Sequence, residues 1–105
     1  TDAPLLPHQC ERLAQRAALG IARTGGAGEN SSGDLLLCFS TQTVGETVRM
    51  TPNESLDPLF YAAIEATEAA IVNALLAAET MTGRGGATVH AIDHEALDEI
   101  VRRYR

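Results

Sequence analysis

The sequence is poor in aromatic side chains and in cysteine, and it contains no lysine. Its 105 residues include no Trp, two Phe, two Tyr and two Cys. Cys10 and Cys38 lack the spacing of a zinc ligand set and make no disulfide framework, so we expect small, free core residues in a reducing compartment. Because all eight basic residues are Arg and face fourteen acids, the formal net charge is −6. This acidity argues against partners such as nucleic acid or an anionic membrane surface.

Long apolar runs and catalytic sequence motifs are also absent. No run approaches the roughly 20 residues needed to span a bilayer, and the first residues lack the basic region and apolar core of a signal peptide. A cytoplasmic protein is expected. No HExxH, GxSxG or phosphate-binding loop occurs, so neither a metal site nor a cofactor is predicted. At this length, residues 1–105 form a single domain or a portion of one.

The hydrophobic periodicities predict an α+β chain. We expect a first helix of about 16 residues that begins at Pro7 and is stopped by Gly25 and Gly26. Strands over 34–41 and 47–50 should pair as a hairpin, and a short strand is expected over 88–91. Two further helices are expected, one from Asp57 to about Thr82 and one over 94–104 with Asp93 as its cap. The long helix is rich in alanine and apolar around much of its circumference. Two or three strands make a sheet too small to stand alone, so a partner is expected.

The polar run over residues 28–34, GENSSGD, leads directly into the apolar run LLLCF over 35–39. A stretch this apolar predicts a strand buried on both faces, which would carry its polar entrance to the edge of a core. Ser32 and Asp34 are two residues apart, so their side chains point the same way in an extended chain. They are candidate site residues that could relay a hydrogen bond to a third group. A surface turn is the alternative, because Asn, Ser, Gly and Asp are common turn residues.

Other candidate catalytic residues are weaker. His8 lies at a helix start, while His90 and His94 flank a helix cap rather than sharing one helical face, so we interpret all three as surface residues. Thr1 could in principle act as an N-terminal nucleophile. Because the residues that follow it do not form a strand, we expect an internal residue or a chain boundary instead. Asn73 lies among apolar residues and is interpreted as structural.

Three segments together resemble one family: TDAPL over residues 1–5, ENSSGDLLLCFST over 29–41 and ATEAAIVNAL over 66–75. The family is that of the L-aminopeptidases/D-esterases, which includes the bacterial β-peptidyl aminopeptidases. The resemblance extends over essentially the whole chain. It implies a portion of a four-layer αββα sandwich, like that of the N-terminal-nucleophile hydrolases, with a strand hairpin and one long Ala-rich helix.

The resemblance also implies a mechanism and partners. Members are made as one precursor that cleaves itself into an α chain and a β chain, and the new N-terminal serine or threonine is the nucleophile. This sequence matches the β chain just after its first strand, so the nucleophile is expected upstream of Thr1. Ser32 and Asp34 occupy the positions that support the nucleophile's amine and hydroxyl. The family further implies the α chain of the same precursor as partner, an oligomer of αβ heterodimers, and peptide, amide or ester substrates.

The preferred interpretation is therefore the β-chain part of a self-processing serine aminopeptidase or amidase. Such an enzyme releases N-terminal residues through an acyl-enzyme intermediate. Two alternatives stay open at the level of sequence. One is a non-catalytic α+β module that dimerises or interacts through its Ala-rich helix, and the other is an amidase or acyltransferase of the same fold.

Overall fold

The structure, a computed structural model, describes residues 1–42, 45, 47 and 49–104. The chain divides into two compact units, Thr1–Ala69 and Ala70–Arg105. The first unit holds helix α1 (Pro7–Arg23) and a short 3-10 helix (Asn53–Ser55), and helix α2 (Asp57–Ala77) begins there and ends in the second unit. The second unit adds strands β1 (Met81–Thr82) and β2 (Thr88–Val89), a 3-10 turn (Arg84–Gly86) and helix α3 (His94–Tyr104).

Helix α1 confirms the predicted first helix. Pro7 occupies the first turn, where a missing N–H costs nothing, and Thr24 and Gly25 follow the last helical residue as a turn. The Gln9 side chain accepts a hydrogen bond from the Leu6 N–H at 3.0 Å, which satisfies a backbone donor that the helix leaves free. Pro7 and the Gln9 hydrogen bond thus define the start of the helix, and the turn at Thr24 and Gly25 ends it.

The core of the first unit forms where the start of α2 meets α1 and the N-terminal segment. Leu56, only 1% exposed, packs in one cluster with Leu5, Leu13 and Phe60. The guanidinium groups of Arg12 and Arg16 lie over the Phe60 ring, with centroid distances of 5.3 and 4.3 Å. Aliphatic burial and cation–π contact thus fix the same aromatic side chain.

Gly20 lets α1 approach α2 closely. A Cβ atom at this position would lie 2.6 Å from the Ile64 carbonyl oxygen and 2.6 Å from the Thr67 Cβ, closer than atoms can pack. Further along α1, Arg23 pairs with Glu68 of α2 at 3.0 Å on the surface. The small residue sets the spacing, and the exposed ion pair adds little stability.

The first strand of the predicted hairpin, residues 34–41, does not form in the described structure. Residues 34–41 are extended but belong to no strand, and the expected burial on both faces is wrong for this chain, since Leu35 is 96% exposed and Leu37 86% exposed. The predicted strand over 47–50 includes Val48, which lies outside the described residues. An extended apolar segment needs covering elements on both sides, and the described residues provide cover only around Cys38.

The second unit contains the antiparallel hairpin that the structure does form. Met81 pairs with Val89 and Thr82 with Thr88, so the strand expected over 88–91 forms at Thr88–Val89 and ends before His90. The prediction that the long helix continues to about Thr82 is wrong, because it ends at Ala77 and the following threonines favour extended backbone. Gly85 and Gly86, both with positive φ, supply the turn between the strands.

Helix α3 confirms the predicted bounds and cap. The Asp93 carboxylate accepts hydrogen bonds from the N–H groups of Glu95 and Ala96 at 3.0 and 3.1 Å. The expectation that its apolar face points inward holds only for Leu97, which is half-buried, whereas Ile100 and Val101 are 55% and 41% exposed. The second half of this amphipathic helix is therefore poorly covered.

Helix α2 is also poorly covered. Only Phe60 and Ile64 are buried along it, while Val72, Leu75 and Leu76 lie exposed. Contrary to the sequence expectation, α2 is by length and composition long and apolar enough to cross a membrane. Two carboxylates, Glu65 and Glu68, lie near its middle, and charged groups there oppose insertion into a bilayer. Protein is the more suitable cover for this face.

Candidate functional site

The polar run before the apolar segment forms both structures that the sequence allows, a turn and a polar pair. The Ser32 N–H donates to the Glu29 carbonyl at 2.7 Å, which closes a turn through Asn30 and Ser31. Directly after it, the Ser32 hydroxyl donates to the Asp34 carboxylate at 2.6 Å. This hydrogen bond confirms the expectation that the two side chains point the same way. The turn lies immediately before them in the chain.

The Ser32–Asp34 pair can accept a hydrogen bond from a third group. A hydroxyl-to-carboxylate bond this short has the length of a charge-assisted hydrogen bond. Because the Ser32 proton points to Asp34, the lone pairs of Oγ face away from the carboxylate and can accept a hydrogen bond from an amine or a hydroxyl. Both residues are exposed, so this acceptor side is open. Among the described residues, no histidine is hydrogen-bonded to the pair.

The far end of the extended segment anchors the pair to the first unit. The Thr1 backbone nitrogen donates to the Phe39 carbonyl at 3.3 Å, and the Thr41 N–H donates to the Thr1 carbonyl at 2.9 Å. The Ser40 hydroxyl donates to the Ala3 carbonyl at 2.6 Å. Residues 39–41 therefore lie beside residues 1–3, and the exposed stretch from Ser32 to Leu35 precedes this anchored end.

An apolar groove of about 740 Å³ runs between α1 and the extended segment. Cys10, Glu11, Ala14 and Gln15 contribute from the helix, and residues 36–40 form the opposite wall. Both cysteines are free and half-buried, and both pack against the core cluster. Burial raises the pKa of the Cys38 thiol, and the neighbouring Cys10 thiol raises it further.

Gln9 is a positioning residue that sequence reasoning missed. Its side chain is fully buried, and its amide donates to the Thr51 carbonyl at 2.8 Å and to the Asn53 side-chain oxygen at 3.0 Å. With the bond from the Leu6 N–H, Gln9 ties the start of α1 to the loop before α2. A Gln at the third helical position predicts a capping interaction, but its long-range partners have no sequence signature.

The remaining polar candidates stay apart from this site. His8, His90 and His94 are exposed. No group of three or more His, Cys, Asp or Glu side chains within the described part of the chain is arranged to hold a metal ion. Asn73 is exposed on α2, so its structural role stays a prediction.

Comparison with known proteins decides the family. The sequence profile of peptidase family S58 matches residues 1–89. The chain belongs to peptidase family S58. Among curated S58 relatives, a β-peptidyl aminopeptidase, BapA, from Sphingosinicella microcystinivorans is 49% identical over 113 aligned positions, which cover 100% of this chain and 28% of that protein.

Solved structures support the same assignment. The L-aminopeptidase D-Ala-esterase/amidase from Ochrobactrum anthropi, described as a prototype for the serine aminopeptidases and a variant of the Ntn hydrolase fold, superposes with a TM-score of 0.85 at 42% identity, covering 98% of this chain and 31% of that one. A β-aminopeptidase from Burkholderia sp. gives a TM-score of 0.83 at 44% identity, covering 97% and 32%.

These likenesses confirm two expectations from the sequence. The resemblance to the L-aminopeptidase/D-esterase family is confirmed, and so is the fold class, an α+β portion of an Ntn-hydrolase-like sandwich. The chain spans less than a third of the length of these S58 relatives.

Proposed function

We propose that this S58 chain supplies part of the active site of a self-processing serine aminopeptidase or amidase. The complete enzyme would release N-terminal residues from peptides, amides or esters through an acyl-enzyme intermediate. The single observation that carries the proposal is the Ser32–Asp34 hydrogen bond, a preorganised acceptor in an exposed part of the chain. The relatives' names, which include aminopeptidases, support the same class of reaction.

In this proposal, Ser32 and Asp34 support a nucleophile that lies outside residues 1–105. An N-terminal serine or threonine uses its own amine to activate its hydroxyl, and both groups need orientation. The free side of Ser32 Oγ would accept a hydrogen bond from that amine, while Asp34 holds the Ser32 proton in place. Asp34 would also favour the protonated amine that forms when the hydroxyl attacks the substrate. Neither residue forms a covalent bond with the substrate.

The proposed partner is the rest of the S58 polypeptide. Leu35, Leu36, Leu37 and Phe39 and the apolar residues Val72, Leu75 and Leu76 of α2 are exposed, and the solved relatives are about three times as long as this chain. We infer that an α chain and the strand that carries the nucleophile cover these surfaces, and that αβ heterodimers form a larger oligomer. The proposed setting is cytoplasmic, with no nucleic acid or membrane partner and no cofactor.

Substitution at Ser32 in the complete enzyme tests the site. Ser32→Ala removes the acceptor and should lower kcat by about 10²-fold or more, the scale for hydrogen-bonding and acid–base partners. Asp34→Asn keeps the shape of the side chain but replaces the charged acceptor of the Ser32 hydroxyl by a neutral one. We expect it to lower kcat less than Ser32→Ala does. Steady-state kinetics on an aminoacyl p-nitroanilide separates kcat from KM.

Ser31→Ala is the matched control, since it removes a hydroxyl from the same turn without touching the pair. We expect its kcat to match that of the wild type. A Ser32→Ala variant with the kcat of the wild type would refute the proposed role of the pair. Residues 28–34 would then be a surface turn only. Cleavage of the precursor should be checked on a denaturing gel, so that loss of processing is distinguished from loss of turnover.

The exposed apolar face of α2 is the observation that favours a second function, a non-catalytic interaction module. Such a module would associate through Val72, Leu75 and Leu76 and would need no nucleophile. A complete protein that forms a stable oligomer but hydrolyses no aminoacyl amide or ester would favour this alternative.

A further inference from the structure

Thr1 and residues 39–41 are hydrogen-bonded in the pattern of two adjacent parallel strands. The Thr1 nitrogen donates to the Phe39 carbonyl at 3.3 Å, and the Thr1 carbonyl accepts from the Thr41 N–H at 2.9 Å. In an antiparallel pair one residue exchanges both bonds with a single partner, whereas Thr1 bonds the two residues that flank Ser40. Thr1 therefore lies opposite Ser40, and the two segments run in the same direction.

The backbone edge of the segment before Phe39 is unpaired in the described part of the chain. Residues 34–38 are extended, and they make no backbone hydrogen bond to another described residue. Leu35 and Leu37 on this segment are 96% and 86% exposed. An extended segment with free backbone donors and acceptors is a template for a further strand.

We propose that the residues immediately before Thr1 in the complete protein pair with residues 34–39 as a parallel strand, in the register that Thr1 and Ser40 set. The two hydrogen bonds of Thr1 already fix the direction of this strand. Its register follows because both strands rise by the same ~3.3 Å per residue. The solved S58 relatives, of which this chain covers 31% and 32%, are long enough to supply such a strand.

The register also locates the nucleophile, a step that rests on the proposed function. Asp34 lies six residues before Ser40 and Ser32 lies eight residues before it. The residues opposite them are therefore six and eight positions before Thr1. The hydrogen bond from the Ser32 N–H to the Glu29 carbonyl turns the chain here, so the pairing extends no further than Ser32.

An N-terminal residue at this end of the strand meets the needs of the Ser32–Asp34 pair. Its backbone would lie one strand spacing, about 4.8 Å, from theirs, which brings its amine within reach of the free side of Ser32 Oγ. The processed chain therefore begins six to eight residues before Thr1. Its formation is hydrolysis of one peptide bond, in which water supplies the hydroxyl of the new carboxyl group and a proton of the new amine.

Engineered cysteine pairs in the complete protein test the register, whether or not the enzyme is active. Leu36 lies four residues before Ser40, so the residue four positions before Thr1 should lie opposite it. The expected Cα separation is about 4.8 Å, which a disulfide spans. Residues two and six positions before Thr1 would lie diagonally at about 8 Å, which is too far.

Each variant combines Leu36→Cys with one cysteine placed two, four or six residues before Thr1, and Cys10→Ser and Cys38→Ser remove the native thiols of this chain. After oxidation with copper phenanthroline, tryptic mapping without reduction measures the linked fraction. We expect the pair with four residues of offset to be linked about tenfold more than either diagonal control. Preferential linkage of a diagonal pair, or linkage of none of the three, would overturn the register.

N-terminal sequencing of the separated chains of the wild-type protein then tests the position of the nucleophile. We expect the chain that contains residues 1–105 to begin with Ser or Thr six to eight residues before Thr1. A first residue outside this interval would overturn the placement of the nucleophile. An uncleaved protein in which the predicted cysteine pair is linked would support the strand register and refute the proposed self-processing.

Discussion

Two parts of the first unit with similar apolar content have opposite environments. Around Leu56 and Phe60, side chains from α1, α2 and the N-terminal segment close over one another and leave little surface. Along residues 35–39, Leu35, Leu37 and Phe39 are 96%, 86% and 65% exposed. The core cluster is covered by side chains of the same unit, whereas Leu35, Leu37 and Phe39 lack such cover among the described residues. Hydrophobicity predicts that a segment will be buried but does not identify what covers it.

The strongest perturbation of the packed part is Phe60→Ala. It removes a buried ring and the cation–π contacts of Arg12 and Arg16, so we expect a loss of about 3–5 kcal/mol in the free energy of unfolding. Chemical denaturation of the complete protein measures it. The neighbouring Tyr61, 61% exposed, is the control, and Tyr61→Ala should cost clearly less. Equal losses would contradict the central position of Phe60.

Substitution of Leu37 tests whether the exposed residues 35–39 are covered in the complete protein. If the rest of the polypeptide covers residues 35–39, Leu37→Ala should destabilise the complete protein by about 2–5 kcal/mol, as for a buried leucine. A leucine that stays as exposed as it is here should change stability by no more than about 0.5 kcal/mol. Denaturation of the complete protein separates these values, and the smaller one would remove the argument for a covering partner.

The contact between α1 and α2 gives a smaller effect. Gly20→Ala places a methyl group 2.6 Å from the Ile64 carbonyl oxygen, so the helices must move apart and we expect a cost of about 1–3 kcal/mol. Gly83→Ala is the matched control, because its methyl group would meet its nearest neighbour at an ordinary 3.7 Å. An unchanged melting temperature for Gly20→Ala would show that the close approach does not matter.

The smallest expected effect concerns the boundary between the two parts, where Cys38 contacts the core. Because burial and Cys10 raise the pKa of the Cys38 thiol, its alkylation by iodoacetamide should reach half its maximal rate above the pH of about 8.5 typical of a free cysteine. Stability should decline as the pH rises beyond that value, since the unfolded thiol loses its proton first. Cys10→Ser should lower the pH of half-maximal alkylation. A profile centred at or below 8.5 would contradict the shift.

Local chemistry explains what the sequence could predict. Pro7 and Asp93 mark helix starts through interactions within one turn, and the two-residue spacing of Ser32 and Asp34 suffices to place them together. The packing of Cys10 and Cys38 against one core cluster and the long-range hydrogen bonds of Gln9 depend on tertiary structure, which leaves no local pattern. The composition of residues 34–41 predicts a buried strand, but Leu35 and Leu37 are exposed, because composition does not identify which elements cover a segment.

Hydrogen–deuterium exchange at the amides of residues 35–38, measured in the complete protein, tests most directly whether this segment is covered by further S58 chain. Covering strands would hydrogen-bond these amides, so we predict exchange at least as slow as that of the α1 amides near Leu13. Exchange at the rate of an unstructured peptide would contradict the account. In that case, the Ser32–Asp34 pair would end a mobile surface segment rather than form part of an active site.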